Sequence, residues 1–248
     1  MAEQWTDKLA GKFLVLDGPD GAGKSTQVRL LGDHLRGLGM PVEVAIDPGT
    51  TRIGQKIRDV LLDRDNGEIG PMCETFLFMA SRAQLVHELI RPALAQGKVV
   101  LCDRFVSATI AYQGASGVDT KIIMNLAEVA IDGLWPHLTI VLDIPTDAGF
   151  KRLGLRRARL KKPRAEEMEK LGIETRKDKK EPVVPSGQLR LFGDRLEQRS
   201  SGYHERVRRI FLDLRAYYPG PVCYVDATQT EKEVLSLMIE AIAREFGG

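Results

Sequence analysis

Cysteine is scarce in this chain: Cys73, Cys102 and Cys223 are its three among 248 residues, and no two of them form a C-x-x-C pair. That spacing argues against both a disulfide framework and a structural zinc site, and makes a reducing cytoplasm the expected compartment. Cys102 and Cys223 fall inside apolar strand-like runs and are read as small buried hydrophobes. The histidines His34, His87, His137 and His204 lack metal-ligand spacing. No apolar run approaches the roughly 20 residues that span a bilayer, and the amino terminus has no apolar signal core, so neither a membrane partner nor export is expected. A dominant charge is missing too, since the net charge is +2. The imbalance that exists is local: residues 151–180 hold 13 basic and 5 acidic side chains. Lys and Glu alternate there without aromatics, which reads as a solvated excursion and gives no reason to expect nucleic acid.

What is present is a regular alternation. Apolar β-rich runs recur at Phe13 to Leu16, Val42 to Ile46, Val99 to Cys102, Leu138 to Leu142 and Val222 to Val225, separated by segments of helical periodicity. The pattern predicts an α/β fold, three layers deep, with a five-stranded parallel sheet between helices. Length allows all 248 residues to form one domain. Each run ends in or beside an aspartate, namely Asp17, Asp47, Asp103, Asp143 and Asp226. Ligands of parallel sheets bind at the carboxyl ends of the strands, so several of these carboxylates are expected around one crevice. Asp20, Asp103 and Asp143 are the ones expected to deal with Mg²⁺ or its waters, and Asp17 and Asp226 to accept bonds from adjoining turns. Between the second and third runs, Met72, Phe76, Met79, Ala83, Val86, Ile90 and Leu94 recur every three or four residues, predicting a long helix over 71–96 with one buried stripe. Phe78 and Arg82 lie one turn apart on another face. From about 158 to 193 the pattern breaks into a Lys-rich, then Pro- and Gly-containing stretch, read as an insertion in a lid spanning about 152–193.

The run Gly18-Pro19-Asp20-Gly21-Ala22-Gly23-Lys24-Ser25 follows the first apolar run and precedes a helix opening near Thr26. Its glycines let backbone N–H groups turn toward phosphate oxygens, Lys24 supplies a cation, and Ser25 supplies a hydroxyl for Mg²⁺. A bound nucleoside triphosphate is the direct expectation. A second cluster, Asp103-Arg104 with Thr109, Tyr112 and Gln113 close behind, ends the third strand. An arginine there can clamp a phosphate bidentately, and the neighbouring acid can hold metal water or relay a proton. This reads as an acceptor site, which a hydrolase would not need.

At these residues the chain resembles the thymidylate kinases. The matching pieces come in family order: the glycine loop, Asp47-Pro48-Gly49, Phe78 and Arg82, Asp103-Arg104 with Ala111-Tyr112-Gln113-Gly114, Leu142-Asp143, Asp194-Arg195-Leu196-Glu197, and Asp226-Ala227-Thr228-Gln229. The resemblance implies transfer of the γ-phosphate of ATP to dTMP with Mg²⁺, in a homodimer. It also implies roles. Gly18, Gly21, Ala22, Gly23, Lys24, Ser25 and Thr26 would cradle ATP, with Thr228 and Gln229 flanking adenine. Phe78 would stack on thymine, Arg82 would reach its edge, and Thr109 and Gln113 would contact base or sugar. Tyr112 would lie beneath the deoxyribose, with Pro48 on the dTMP side, Arg104 on the acceptor phosphate, and Asp20 facing the 3′-hydroxyl or the metal. Catalysis would rest on Lys24, Asp103 and Arg104, and Mg²⁺ on Ser25, Asp20 and Asp103.

The chain also departs from the family pattern. Some relatives carry an arginine within the glycine loop where Gly21 and Ala22 stand here, so the missing charge is expected from the lid. Arg152, Arg156, Arg157 and Arg159 are the candidates, Arg156 and Arg157 foremost. Ile46 precedes Asp47-Pro48-Gly49 where the family often has an Arg-Glu pair before Pro-Gly, leaving Arg104 to carry more of the acceptor phosphate.

Overall fold

The computed structural model describes residues 5–63, 65–154 and 200–247. Five strands, β1 (Phe13–Asp17), β2 (Val42–Ile46), β3 (Val99–Asp103), β4 (Leu138–Asp143) and β5 (Val222–Asp226), lie in the order β2-β3-β1-β4-β5. Every pairing is parallel. The five runs found in the sequence are therefore the five strands, extended at four of them to include the terminal aspartate. All of β1 and β3 is buried, as continuous apolar central strands should be, whereas β2 and β5 at the edges are only partly covered.

Along β1, successive side chains point to opposite faces, and each face has its own core. Phe13 and Val15 join Val100, Cys102, Phe105, Ile110 and Phe211 on one side. Leu14 and Leu16 join Leu31, Leu35, Leu101, Ile140, Leu142 and Met238 on the other. The layers come from helices α1 (Lys24–Gly37), α2 (Arg52–Leu62), α3 (Pro71–Leu85), α4 (Arg91–Ala95), α5 (Val106–Ala115), α6 (Thr120–Ile131), α7 (described over 146–154), α8 (Ser201–Asp213) and α9 (Glu231–Gly247).

Local chemistry sets their ends. Thr51 caps α2 by accepting from Gly54 N–H at 2.9 Å, and Asp119 caps α6 by accepting from Lys121 N–H at 2.7 Å. Pro71 opens α3, where its missing N–H costs nothing.

The long helix expected over 71–96 is broken. After α3 the chain makes a wider π turn over Val86–Ile90 before α4. Pro92 lies in that second part and cannot donate to the carbonyl four residues back, which favours rearrangement of the preceding turn. The stripe is redistributed as well. Met79, Val86 and Ile90 are buried, but Met72 and Phe76 are exposed, while Glu74, Thr75, Ser81 and Arg82 lie inside.

Because β1 sits between β3 and β4, the chain leaves it toward one side of the sheet and later returns to the other. That switch point opens a crevice at the carboxyl end of β1, and the loop over Gly18–Ser25 lies in it.

Candidate active site

Gly18, Gly21 and Gly23 have φ of 131°, 82° and 90°, a region that residues with a Cβ rarely adopt. At Gly18 a Cβ would also strike the Leu142 carbonyl, and at Gly21 that of Gly149. Gly23 is the residue before α1, so the helix begins at the loop with its first N–H groups toward the crevice. Lys24 is buried and folds back on the loop, donating from Nζ to the carbonyls of Gly18 at 3.0 Å and Pro19 at 2.8 Å. Burial, reinforced by the nearby Arg104 guanidinium, lowers its pKa to about 8. Ser25 Oγ donates to Asp103 Oδ2 at 2.6 Å.

Arg104 follows β3 with φ of 70°, a left-handed conformation costing about 1–2 kcal/mol for a residue with a side chain. Its backbone is held on both sides: its N–H donates to Leu16 O at 3.0 Å, and the Cys102 thiol donates to its carbonyl at 3.0 Å. The guanidinium thereby swings over the glycine loop. Nη2 reaches Asp20 Oδ1 at 2.5 Å and Tyr112 Oη at 3.3 Å, and Nη1 reaches Gly18 O at 3.4 Å and Asp17 Oδ1 at 3.5 Å. Its Cζ lies 4.9 Å from the centre of the Tyr112 ring. Burial pushes the Asp20 carboxyl up, but Arg104 and Lys24 together outweigh it and leave the pKa below the ordinary value. At Asp17 burial prevails over Arg104 and the pKa is raised.

A second group lies between α3 and α5. Arg82, fully buried, donates from Nε to Asp47 Oδ2 at 2.7 Å and from Nη2 to Phe105 O at 2.9 Å and Thr109 Oγ1 at 3.0 Å; Nη1 meets the Met79 thioether at 3.3 Å. Gln113, one turn beyond Thr109, donates from Nε2 to Glu74 Oε2 at 3.0 Å. Phe78 is half-buried, and Pro48, joined to Asp47 by a cis peptide, is buried. Tyr112 packs edge-on against Tyr203 and Phe211, and its carbonyl accepts from Tyr203 Oη at 2.8 Å.

The structure thus brings together Lys24, Ser25, Asp103, Asp20, Arg104 and Tyr112, and it links Arg82 with Thr109. Asp17 and Asp226 accept from neighbouring groups as expected: Asp17 from Gly18 N–H and Ser107 Oγ, Asp226 from Thr228 and Gln229. Asp143 has a partner that the sequence did not suggest. Both its oxygens accept from Arg208, at 2.7 and 2.8 Å, because α8 packs on β4 and presents an arginine to the carboxylate. Arg152 is also engaged, donating to the carbonyls of Ala227, Thr228 and Gln229 at 2.6, 3.0 and 3.4 Å. Arg156, Arg157 and Arg159 and the Asp194 to Glu197 motif lie outside the described residues. Sequence reasoning missed Glu74, Arg58 and Ser107. Arg58 donates to the Pro48 carbonyl at 2.8 Å, putting a guanidinium beside the turn where the family arginine is absent. The spacing Glu74, Phe78, Arg82 was a usable signal for Glu74, because residues four apart share a helix face.

A glycine loop at the switch point of a parallel sheet, faced by a cation on the next strand end, defines a P-loop phosphotransferase. The family model described as thymidylate kinase matches residues 16–186. Among curated relatives, the thymidylate kinase of Desulfosudis oleivorans is 40% identical over 94% of this chain and 96% of its own length. That of Syntrophotalea carbinolica is 40% identical over 90% of each chain, and that of Protochlamydia amoebophila 35% identical over 96% of this chain and 95% of its own. This chain belongs to the thymidylate kinase family.

Proposed function

We propose that the protein transfers the γ-phosphate of ATP to dTMP, giving dTDP and ADP for dTTP synthesis. The observation that carries this reading is the seat of Arg104, a guanidinium tied to Asp20 on the rim of the glycine loop. A water nucleophile needs no cation there, whereas a monophosphate acceptor does. The attacking oxygen belongs to an anion facing another anion, so catalysis is mainly the cancellation of charge around an in-line transfer. One P–O bond forms on the acceptor phosphate as the bond to ADP breaks, and no proton need be removed from an acceptor that is already ionised.

In this reading Gly18, Gly21, Ala22, Gly23, Ser25 and Thr26 hold the triphosphate, Lys24 exchanges the two loop carbonyls for phosphate oxygens, and Thr228 and Gln229 flank adenine. Arg104 takes the dTMP phosphate, with Asp20 fixing its direction. Tyr112 and Pro48 line the sugar side, Phe78 stacks on the base, and Arg82, Thr109 and Gln113 meet the base or sugar edge. Arg156 and Arg157 are our candidates for the further positive charge that Gly21 and Ala22 do not supply.

The Ser25 hydroxyl against the Asp103 carboxylate suits Mg²⁺ carried in by ATP. The hydroxyl oxygen would be a ligand and Asp103 would accept from the ion's waters, with Asp20 nearby. Mg²⁺ usually keeps several waters and substrate oxygens as ligands, so one or two protein oxygens would be enough to hold it. When bound, Mg²⁺ supplies charge neutralisation along the donor phosphates.

We read the chain as a single kinase domain working in the cytoplasm. Its described cysteines are free, and no described helix is long and apolar enough to cross a membrane. A homodimer is supported by Ile53, Val60, Met72, Phe76, Ile122 and Val129, exposed on α2, α3 and α6, of which α3 packs against both others. A coupled assay with dTMP, dUMP, dCMP, dGMP and dAMP tests the activity. Strong preference for dTMP is expected, and absent or unselective turnover of it would refute the reading.

A further inference from the structure

Two polar rungs cross from α3 to α5. At one, Arg82 donates to Thr109 at 3.0 Å, and at the other, Gln113 donates to Glu74 at 3.0 Å. Glu74, Phe78 and Arg82 follow one another by single turns on α3, as Thr109 and Gln113 do on α5. Phe78 therefore stands between the rungs, and it is partly exposed where the four residues around it are buried.

The second rung is asymmetric in a way that chemistry dictates. A carboxylate only accepts, so the Gln113 amide must turn its NH₂ toward Glu74 and its oxygen away. That oxygen, on a side chain with no exposure, has no hydrogen-bond partner among the described residues. A buried acceptor left unpaired is destabilising, and its persistence beside a half-open aromatic wall points to a donor brought by a ligand.

We propose that Glu74 is the positioning residue for base selection: it locks the Gln113 amide so that Oε1 accepts the N3–H of a thymine or uracil ring. The proposal rests on the nucleotide reading above. Cytosine presents an unprotonated acceptor at N3, so the locked oxygen meets a lone pair and the base is rejected. Glu74 touches no substrate and acts only by denying Gln113 its flipped state, in which NH₂ would face the base and accept cytosine. Phe78 is the wall whose ring stacks on the base as it enters between the rungs.

The test is Glu74→Gln, because a glutamine there both donates and accepts and no longer dictates which way Gln113 turns. The expected result is a fall of about 10- to 100-fold in the ratio of kcat/KM for dTMP over dCMP. It should come mainly from a raised dTMP KM and newly measurable dCMP turnover, with the ATP KM unchanged. A merely structural role would lower both nucleotides alike. An unaltered ratio in a folded Glu74→Gln enzyme, judged by its melting curve, overturns the proposal. Gln113→Leu is the second variant: it should lose the same discrimination, with Glu74→Gln adding nothing further to it, and retention of the ratio in Gln113→Leu equally overturns the proposal. Wild-type protein that fails to phosphorylate dTMP would instead refute the function proposed above, so the two failures are told apart.

Discussion

The glycine loop and the α3–α5 pocket do neighbouring jobs with opposite construction. The loop is eight consecutive residues whose backbone geometry follows from glycine dihedrals and a helix start, and its lysine, Lys24, bonds to carbonyls five and six residues away, while the side chains of its rim residues Asp20 and Ser25 reach the distant Arg104 and Asp103. The pocket is made of contacts between distant segments: Arg82 reaches Asp47 across 35 residues and Thr109 across 27, and Glu74 meets Gln113 across 39. A local site carries its stability in backbone conformation. A distributed site with buried charges depends on every partner being in place.

That contrast can be broken by experiment, most forcefully at Arg82. Arg82→Met strands the buried Asp47 carboxylate, already pushed up by burial against the pull of Arg82, and should cost about 3–5 kcal/mol of stability in a denaturant titration. Replacing Asp47 with leucine in the same chain should recover much of it. Lys24→Met should leave the melting temperature near wild type yet lower kcat by about 10²- to 10³-fold, since it removes a cation that serves the transferring phosphoryl group. If both variants lost stability equally, the distinction between the two regions would fail.

Smaller effects sharpen the comparison. Lys24, with a pKa of about 8, makes kcat/KM for ATP fall roughly tenfold per pH unit above that value, because free enzyme that has lost the proton loses the phosphate's cation. Over the window from about 8 up to the ordinary lysine range, the unfolded chain binds the proton that the folded one has released. The same group therefore makes stability rise with pH while activity falls. Arg104→Met should shift the activity limb upward, since the guanidinium is the second cause of the depression. The smallest effect is expected from Phe78→Ala, which should raise the dTMP KM about tenfold, the loss of one aromatic stacking contact with its buried area. The ATP KM and the melting temperature should barely change, and a matching rise in both KM values would mean that the ring is only a packing element.

The legibility of each region in the sequence follows the same divide. Strand positions were evident because short, largely apolar β-rich runs of four or five residues between helical segments have few other uses. The glycine loop was evident because its glycines are required by geometry. The long helix was misjudged because periodicity reports which residues repeat and not which face the fold covers: Met72 and Phe76 fit the stripe but stay exposed, and Pro92 accompanies a turn that shifts the register. The partner of Asp143 was not legible because Arg208 comes from α8, 65 residues away. Glu74 passed unnoticed because a lone glutamate in a helix reads as solvated until its neighbour across the pocket is known.

By itself, then, the amino-acid order determined the parallel sheet, its crevice, and the loop that receives phosphate, because those rest on short-range dihedral and burial preferences. Only the tertiary structure decided which aspartates and arginines are already spoken for, which way the Gln113 amide faces, and that Arg104 leans over the loop. A charged side chain takes the partner nearest in space, and in this fold that partner usually lies dozens of residues away along the chain.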